Sequence, residues 1–184
     1  MKLTQTLVKE HVRILKGIEF LSMARDKIER NQHPPREFFE TAVLFFRNYA
    51  DKYHHFKEEY LMFGFLAQKT AGRLDLEIGA LRHQHERGRE FISRLERSIN
   101  GYAMGNEIAV TSLLENLSAF ISVLGHHIHM EDAIFFPLVE KELSRDEKTS
   151  LLEQFVREEA RLEESNSTQI NDGLLAKMEK LITL

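Results

Sequence analysis

With 184 residues, 42% of them hydrophobic, and a formal net charge of −4, the chain can build one domain with a real core and has no basic excess to favour nucleic acid. It contains no cysteine, which excludes disulfides, thiolate metal sites and thiol nucleophiles, so any bound metal must be held by nitrogen and oxygen. No apolar run reaches the roughly 18 residues of a membrane span and no signal-peptide core follows Met1, so a cytoplasmic protein away from membranes is expected.

The apolar periodicity is helical nearly throughout. A first helix over about Leu3 to Arg30 carries Leu7, His11, Ile14, Ile18, Leu21, Arg25 and Ile28 in steps of three and four, all but Arg25 apolar or His, the seam of a bundle helix. Pro34 and Pro35 suit the first turn of a second helix, which runs to about Gln68 and places His55, Glu59, Met62 and Leu66 on its seam. A polar break at 69–72 leads to a third helix, Arg73 to Ile99, whose seam includes Leu74, Ile78, Leu81, His85, Gly88 and Ile92; Asn100-Gly101 should stop it. Asn106 caps a fourth helix with Leu113, Leu117, Phe120, Leu124, His127 and Glu131 on its seam, bending or restarting at Pro137. The predicted fold is all-α: an antiparallel up-down-up-down four-helix bundle over 1–143 with an additional C-terminal helical segment over 144–184. That segment opens on a capping box at Ser144 and Glu147, passes a linker at 165–168, and ends in a tail helix from Leu174. It either covers one end of the bundle or mediates a homodimer.

The chemistry lies in two stretches that overlay. Both start His-His, at His54-His55 and His126-His127, and both carry Glu four residues after the second His, at Glu59 and Glu131. A His and a Glu four apart share one helical face. In an up-down bundle His11, His55, Glu59, His85, His127 and Glu131 fall at similar depths, roughly 12–20 Å from one bundle end. Any one of them alone is more often a satisfied core or surface residue; together they form a layer. Two facing buried carboxylates repel unless cations lie between them. Two ions bridged by Glu59 and Glu131, with two His each, would satisfy all six groups. Iron or manganese suits this donor set, and zinc is compatible with it. His54 with Glu58 is the alternative register on the second helix, disfavoured because the overlaid pair would be His126 with Met130; Asp132 is the alternative carboxylate on the fourth. His33 is expected to be an exposed loop residue, and His54, His83, His126 and His129 to face outward or to support ligands from behind.

Glu10-His11, His55-Phe56-x-x-Glu59, Gln84-His85-Glu86-Arg87-Gly88-Arg89 and His127-Ile128-x-x-Glu131-Asp132-x-x-Phe135-Phe136-Pro137 resemble the hemerythrin-like, or HHE cation-binding, domain over roughly residues 3 to 140. The resemblance implies a four-helix bundle around two non-haem Fe ions, carboxylate- and oxo-bridged, in proteins that bind O2 or NO, sense oxygen or iron, or help repair iron centres. Oxygen carriers of the family have a further His where Leu81 stands, which implies an extra open position here, and they use Asp in the place suggested by Asp132. The expected function is binding of a small diatomic ligand, O2 or NO, for sensing, scavenging or storage. The alternatives are a diiron enzyme reducing NO or peroxide, an iron donor in iron-centre repair, and a metal-free interaction bundle.

Overall fold

The computed structural model describes residues 3–163 and 167–183, and every regular element among them is helical. Helix α1 is Gln5–Glu29. Helix α2 is one rod in four segments: Arg36–Phe45, π-helical turns over Phe46–His55 and Lys57–Met62, and Phe63–Thr70. Helix α3 is Asp75–Ala103. Helix α4 runs Glu107–Met130, through a π-helical turn Glu131–Phe135, into Phe136–Glu142. Helices α5, Arg145–Glu163, and α6, Ser167–Thr183, complete the chain.

The helix starts follow the expected caps. The Asn106 side chain accepts from the Ala109 amide at 3.0 Å. Ser144 and Glu147 form the reciprocal box, the Ser144 amide donating to Glu147 Oε2 at 2.7 Å and the Glu147 amide to Ser144 Oγ at 3.4 Å. Two boundaries differ from expectation. Asn100-Gly101 does not stop α3, because Gly101 serves a close crossing instead: a Cβ there would lie 2.5 Å from the Cβ of Ala109 on α4. The turn falls at Gly105, with φ of +71°. At Pro137 α4 restarts as expected, with the proline in the first turn of Phe136–Glu142 after the π-helical turn. The tail helix starts at Ser167 rather than Leu174. Residues 165 and 166 of the expected linker lie outside the described residues.

Two apolar clusters sandwich a polar layer. One holds Ile14, Ile18 and Leu21 of α1, Phe46 and Ala50 of α2, Ile92 and Leu95 of α3, and Phe120 and Leu124 of α4. The other holds Leu3, Leu7, Met62, Leu66, Ile78, Leu81, Phe135 and Val139. Each of α1–α4 therefore crosses from one cluster to the other, and each is polar where it crosses. The C-terminal helices pack on the same chain. Leu151 and Phe155 of α5 complete the second cluster, while Met178 and Ile182 of α6 complete the first.

Among the described residues, Glu107–Glu142 is long and apolar enough to cross a membrane, one 18-residue stretch of it having a mean hydropathy of 1.6. Its inward face packs against α1 and α3 and carries His127 and Glu131 into the polar layer.

Candidate metal centre

The crossing layer contains two groups of potential ligand atoms, each lying within 4.8 Å of one another. One is His11, His54, Glu58 and Glu131; the other is His55, Glu58, His85 and His127. All seven residues are buried. Of the six residues expected here, the structure brings together His11, His55, His85, His127 and Glu131. Glu59 enters neither group. Its Oε1 instead accepts from His85 Nδ1 at 2.6 Å and from Arg89 at 2.6 Å. Glu58 stands where Glu59 was expected, and His54, expected to face outward or to support ligands from behind, joins it.

The π-helical stretch of α2 is the reason. Phe46, Ala50, His54, Glu58, Met62 and Leu66 are all buried at a strict spacing of four. At about 3.6 residues per turn an α-helix would rotate such a stripe steadily off the core; the wider π-helical turns hold it in line. The same widening turns His55 inward beside His54. His54 faces α1, its Nε2 2.9 Å from His11 Nε2, while His55 stacks on the His85 ring of α3 with centroids 3.8 Å apart. Leu81, where a further imidazole would be supplied from α3, belongs to the apolar cluster, so the third imidazole of its group comes from α2. His33, His83, His126 and His129 are exposed, as expected.

Four imidazoles are fixed in the same way. His11 Nδ1 donates to Asp132 Oδ1 at 2.8 Å, His54 Nδ1 to Glu10 Oε2 at 2.8 Å, His85 Nδ1 to Glu59, and His127 Nδ1 to Gln84 Oε1 at 2.9 Å. The carboxylates only accept, so at His11, His54 and His85 a proton sits on Nδ1, Gln84 Oε1 plays the same part for His127, and each ring in its neutral form presents a lone pair at Nε2. These Nε2 atoms then face one another, His11 with His54 at 2.9 Å and His85 with His127 at 3.0 Å. Glu131 Oε2 lies 3.3 Å from His11 Nε2 and 3.1 Å from His127 Nε2. Glu58 Oε1 lies 3.5 Å from His54 Nε2 and its Oε2 3.5 Å from His85 Nε2. Both carboxylates thus span the two groups. Neither makes a hydrogen bond among the described residues, and neither does either nitrogen of His55.

Lone pairs pointed at lone pairs, beside unpaired buried carboxylates, are unfavourable without a cation. The titration behaviour of the bare side chains reflects this. Burial, then the charge of Glu131, pushes the Glu58 carboxyl well above its usual range. Burial opposes ionisation of Glu131 too, but His127 and His11 outweigh it and hold this carboxylate at about 2. Burial works against a charge on His11, yet its hydrogen bond to Asp132 and the nearby Glu131 carboxylate raise it to about 9. Burial, followed by neighbouring imidazole charge, drives His54 and His85 well below the ordinary imidazole range. The layer can keep one carboxylate charged by protonating the other, or keep both charged around cations. The donor set, imidazole and carboxylate without thiolate, fits Fe, Mn or Zn.

The model of the hemerythrin HHE cation-binding domain matches residues 2–139. The chain belongs to the hemerythrin HHE cation-binding family. Uncharacterized proteins of Mycobacterium bovis and of two Mycobacterium tuberculosis strains, CDC 1551 and H37Rv, are each 31% identical to this hemerythrin-family chain over 161 residues. The alignments cover 85% of this chain and 61% of each relative, so the chain spans less than two thirds of the curated relatives it matches. No solved structure matches it significantly. Within this hemerythrin domain, Glu10, Asp51, Gln84 and Asp132 surround the imidazoles, and of these only Asp132 was singled out as a candidate from spacing. The capping of His54 by Glu10 was not legible, because Glu10 lies beside the α1 seam rather than on it.

Glu10 is itself held by Lys57. The Lys57 ammonium is 1% exposed, bonded to Glu10 Oε1 and, at 2.8 Å, to Glu159 Oε1 of α5, with its charge 4.0 Å from the centroid of the Tyr53 ring. Burial pushes the Glu10 carboxyl up to about 7 against the pull of this lysine. Lys57→Met is expected to destabilise the protein by about 3–5 kcal/mol in chemical denaturation, because the buried Glu10 and the partly exposed Glu159 carboxylates lose their counter-charge. An unchanged denaturation midpoint would mean that they are neutral or solvated instead.

Proposed function

We propose that this chain is a two-iron protein that binds O2 or NO. The seven groups His11, His54, His55, Glu58, His85, His127 and Glu131 would hold the metals, with Glu58 and Glu131 shared between them. The observation that carries the reading is the pair of close Nε2–Nε2 approaches at 2.9 and 3.0 Å, each facing carboxylate oxygens that have no hydrogen-bond partner among the described residues. The supporting frame is an antiparallel up-down-up-down four-helix bundle. Short connections between α1 and α4 support it, as does the alternation of the two apolar clusters along successive helices.

When bound, an iron pair supplies an electrophilic, redox-active position for a diatomic ligand. The side chains do the rest. Asp132, Glu10, Glu59 and Gln84 fix the tautomer and ring orientation of four imidazoles. Apolar clusters on both sides of the layer limit water, and the rings of Phe63 and Phe136 lie against His85 and His11. The His55, His85 and His127 group also borders an open cavity, which gives a ligand a way in.

Metal analysis with optical spectroscopy tests the reading. Aerobically purified protein should contain two irons per chain and show near-ultraviolet ferric charge-transfer absorption. His127→Ala should lose metal and absorption in parallel, and the reduced protein should take up one O2 or NO per metal pair. Protein purified from iron-replete cells without bound metal would refute it. Turnover of NO or peroxide beyond one equivalent would move the assignment to an enzyme.

A further inference from the structure

Five imidazoles enter the layer, and one of them is held differently. His11, His54, His85 and His127 are each fixed through Nδ1, and each brings Nε2 to within 3.5 Å of Glu58 or Glu131. His55 is 6% exposed, yet neither of its ring nitrogens has a hydrogen-bond partner, and no carboxylate of the layer pairs with it among the described residues. Asp51 Oδ1, one turn earlier on α2, lies 3.7 Å from His55 Nδ1, too far for a hydrogen bond. A ligating imidazole almost always donates its second nitrogen to a group behind it, and losing that group costs roughly 10–100-fold in metal affinity. His55 is therefore the most weakly held of the five.

The ring also has space beside it. His55 borders a cavity of about 300 Å³, which His85 and His127 line as well but His11, His54, Glu58 and Glu131 do not. Its other neighbour is the His85 ring, with centroids 3.8 Å apart and planes 16° apart, a flat contact that does not lock rotation in the ring's own plane. Asp51 lines the same cavity, with 31% of its side chain exposed. It accepts from Arg89 Nε at 2.8 Å and, as a carboxylate, keeps further lone pairs for a second donor. Closing the 3.7 Å gap by about 1 Å gives His55 Nδ1 the partner it lacks and draws the ring towards the outer side of the cavity.

We infer that His55 is a displaceable ligand: turned inward it completes the group of Glu58, His85 and His127, and turned towards Asp51 it vacates a position that opens directly onto the cavity. An incoming ligand takes that position from the cavity side. The exchange breaks one bond to an imidazole nitrogen and makes one to the ligand, and the neutral ring carries its proton with it, so no proton or electron is transferred. The inference rests on the two-iron reading and names which of the seven groups gives way.

Metal retention and imidazole binding, measured on aerobically purified protein, provide the test. His55→Ala should keep two irons per chain against graded chelator, with no more than about a ten-fold loss of affinity, under conditions that strip His127→Ala. Free imidazole should then bind this variant, one per chain, and return the ferric absorption to that of the wild type; a cavity of about 150 Å³ already takes benzene, so the space suffices. Wild-type protein should bind imidazole at least about ten-fold more weakly, because the tethered ring competes at high effective concentration. Asp51→Ala, which removes the outer resting place, should weaken imidazole binding to the chain that keeps His55 by about a further five-fold, the worth of one hydrogen bond. His55→Leu, which fills the space of the ring, should keep both irons and bind no imidazole, with circular dichroism confirming the fold of each variant. Metal loss from both His55 variants as complete as from His127→Ala would make His55 an ordinary fixed ligand, and absence of saturable imidazole binding to His55→Ala would place it outside the centre. Either result overturns the inference, and unchanged imidazole binding in Asp51→Ala overturns the part given to Asp51. Wild-type protein without metal sinks the two-iron reading and this inference with it, whereas loaded wild type with either of those results sinks the inference alone.

Discussion

Glu58→Gln should weaken metal binding at both positions, by about 100-fold or more, while Glu59→Gln should leave two metals bound with no more than the roughly 10–100-fold loss typical of a residue that only supports a ligand. The two residues are adjacent, isosteric in their substitutions and chemically identical, so the comparison isolates position. Glu58 is fully buried, and its two oxygens lie against His54 in one group and His85 in the other. A neutral amide there removes the negative charge that both metals would share. Glu59 touches the layer only through His85 Nδ1 and is tethered to Arg89, so its amide leaves every metal-facing atom in place. Metal stoichiometry after dialysis against a graded chelator series measures both variants. The reverse order of losses would restore the α-helical register on α2 and remove Glu58 from the centre.

Removing the metal altogether should lower stability substantially and make it depend on pH in a bell shape. A ligand present at 1,000 times its dissociation constant stabilises a fold by about 4 kcal/mol, and for a domain of this size that corresponds to a fall in Tm of roughly 10 °C on chelation. In the metal-free protein His11 is raised from 6.5 to about 9. The folded state then binds a proton that the unfolded chain releases, so its stabilisation is complete below pH 6.5 and is lost as pH rises to about 9. The loss is on the order of 3 kcal/mol. The depression of Glu131 to about 2 is largely the same ion-paired cluster seen from the carboxylate side and is not added to it. On the acid side His54, His55 and His85 have lowered pKa values. The unfolded chain takes up protons there that the fold excludes, so stability also falls as pH drops below 6.5. Thermal melts of chelated protein should therefore peak near pH 6.5, while metal-loaded protein stays flat between pH 7 and 9, the cation having replaced the proton at His11 Nε2. A chelated protein with a level profile from 6.5 to 9 would show that His11 is not charged.

Much of this architecture was legible from spacing. The seams of α1, α3 and α4 were straight α-helical stripes, and they carried His11, His85, His127 and Glu131 to one depth. The caps at Asn106 and Ser144 were local, and local chemistry is visible in sequence. The failure was confined to α2. Its seam was read in α-helical steps through His55 and Glu59, and the overlay with His127 and Glu131 strengthened that choice. The strict four-residue stripe Phe46, Ala50, His54, Glu58, Met62, Leu66 was present in the chain, but it is a core stripe only if the helix is widened.

Residue order alone determined the helices, the absence of thiolate chemistry, and the convergence of imidazole and carboxylate on one layer, because each of these depends on periodicity and side-chain type. Tertiary structure decided which of two adjacent glutamates enters that layer, that both His54 and His55 turn inward, and which groups hold them there. The physical reason is that a π-helical turn shifts every later side chain by one position, and whether such a turn is stable depends on the helices packed around it.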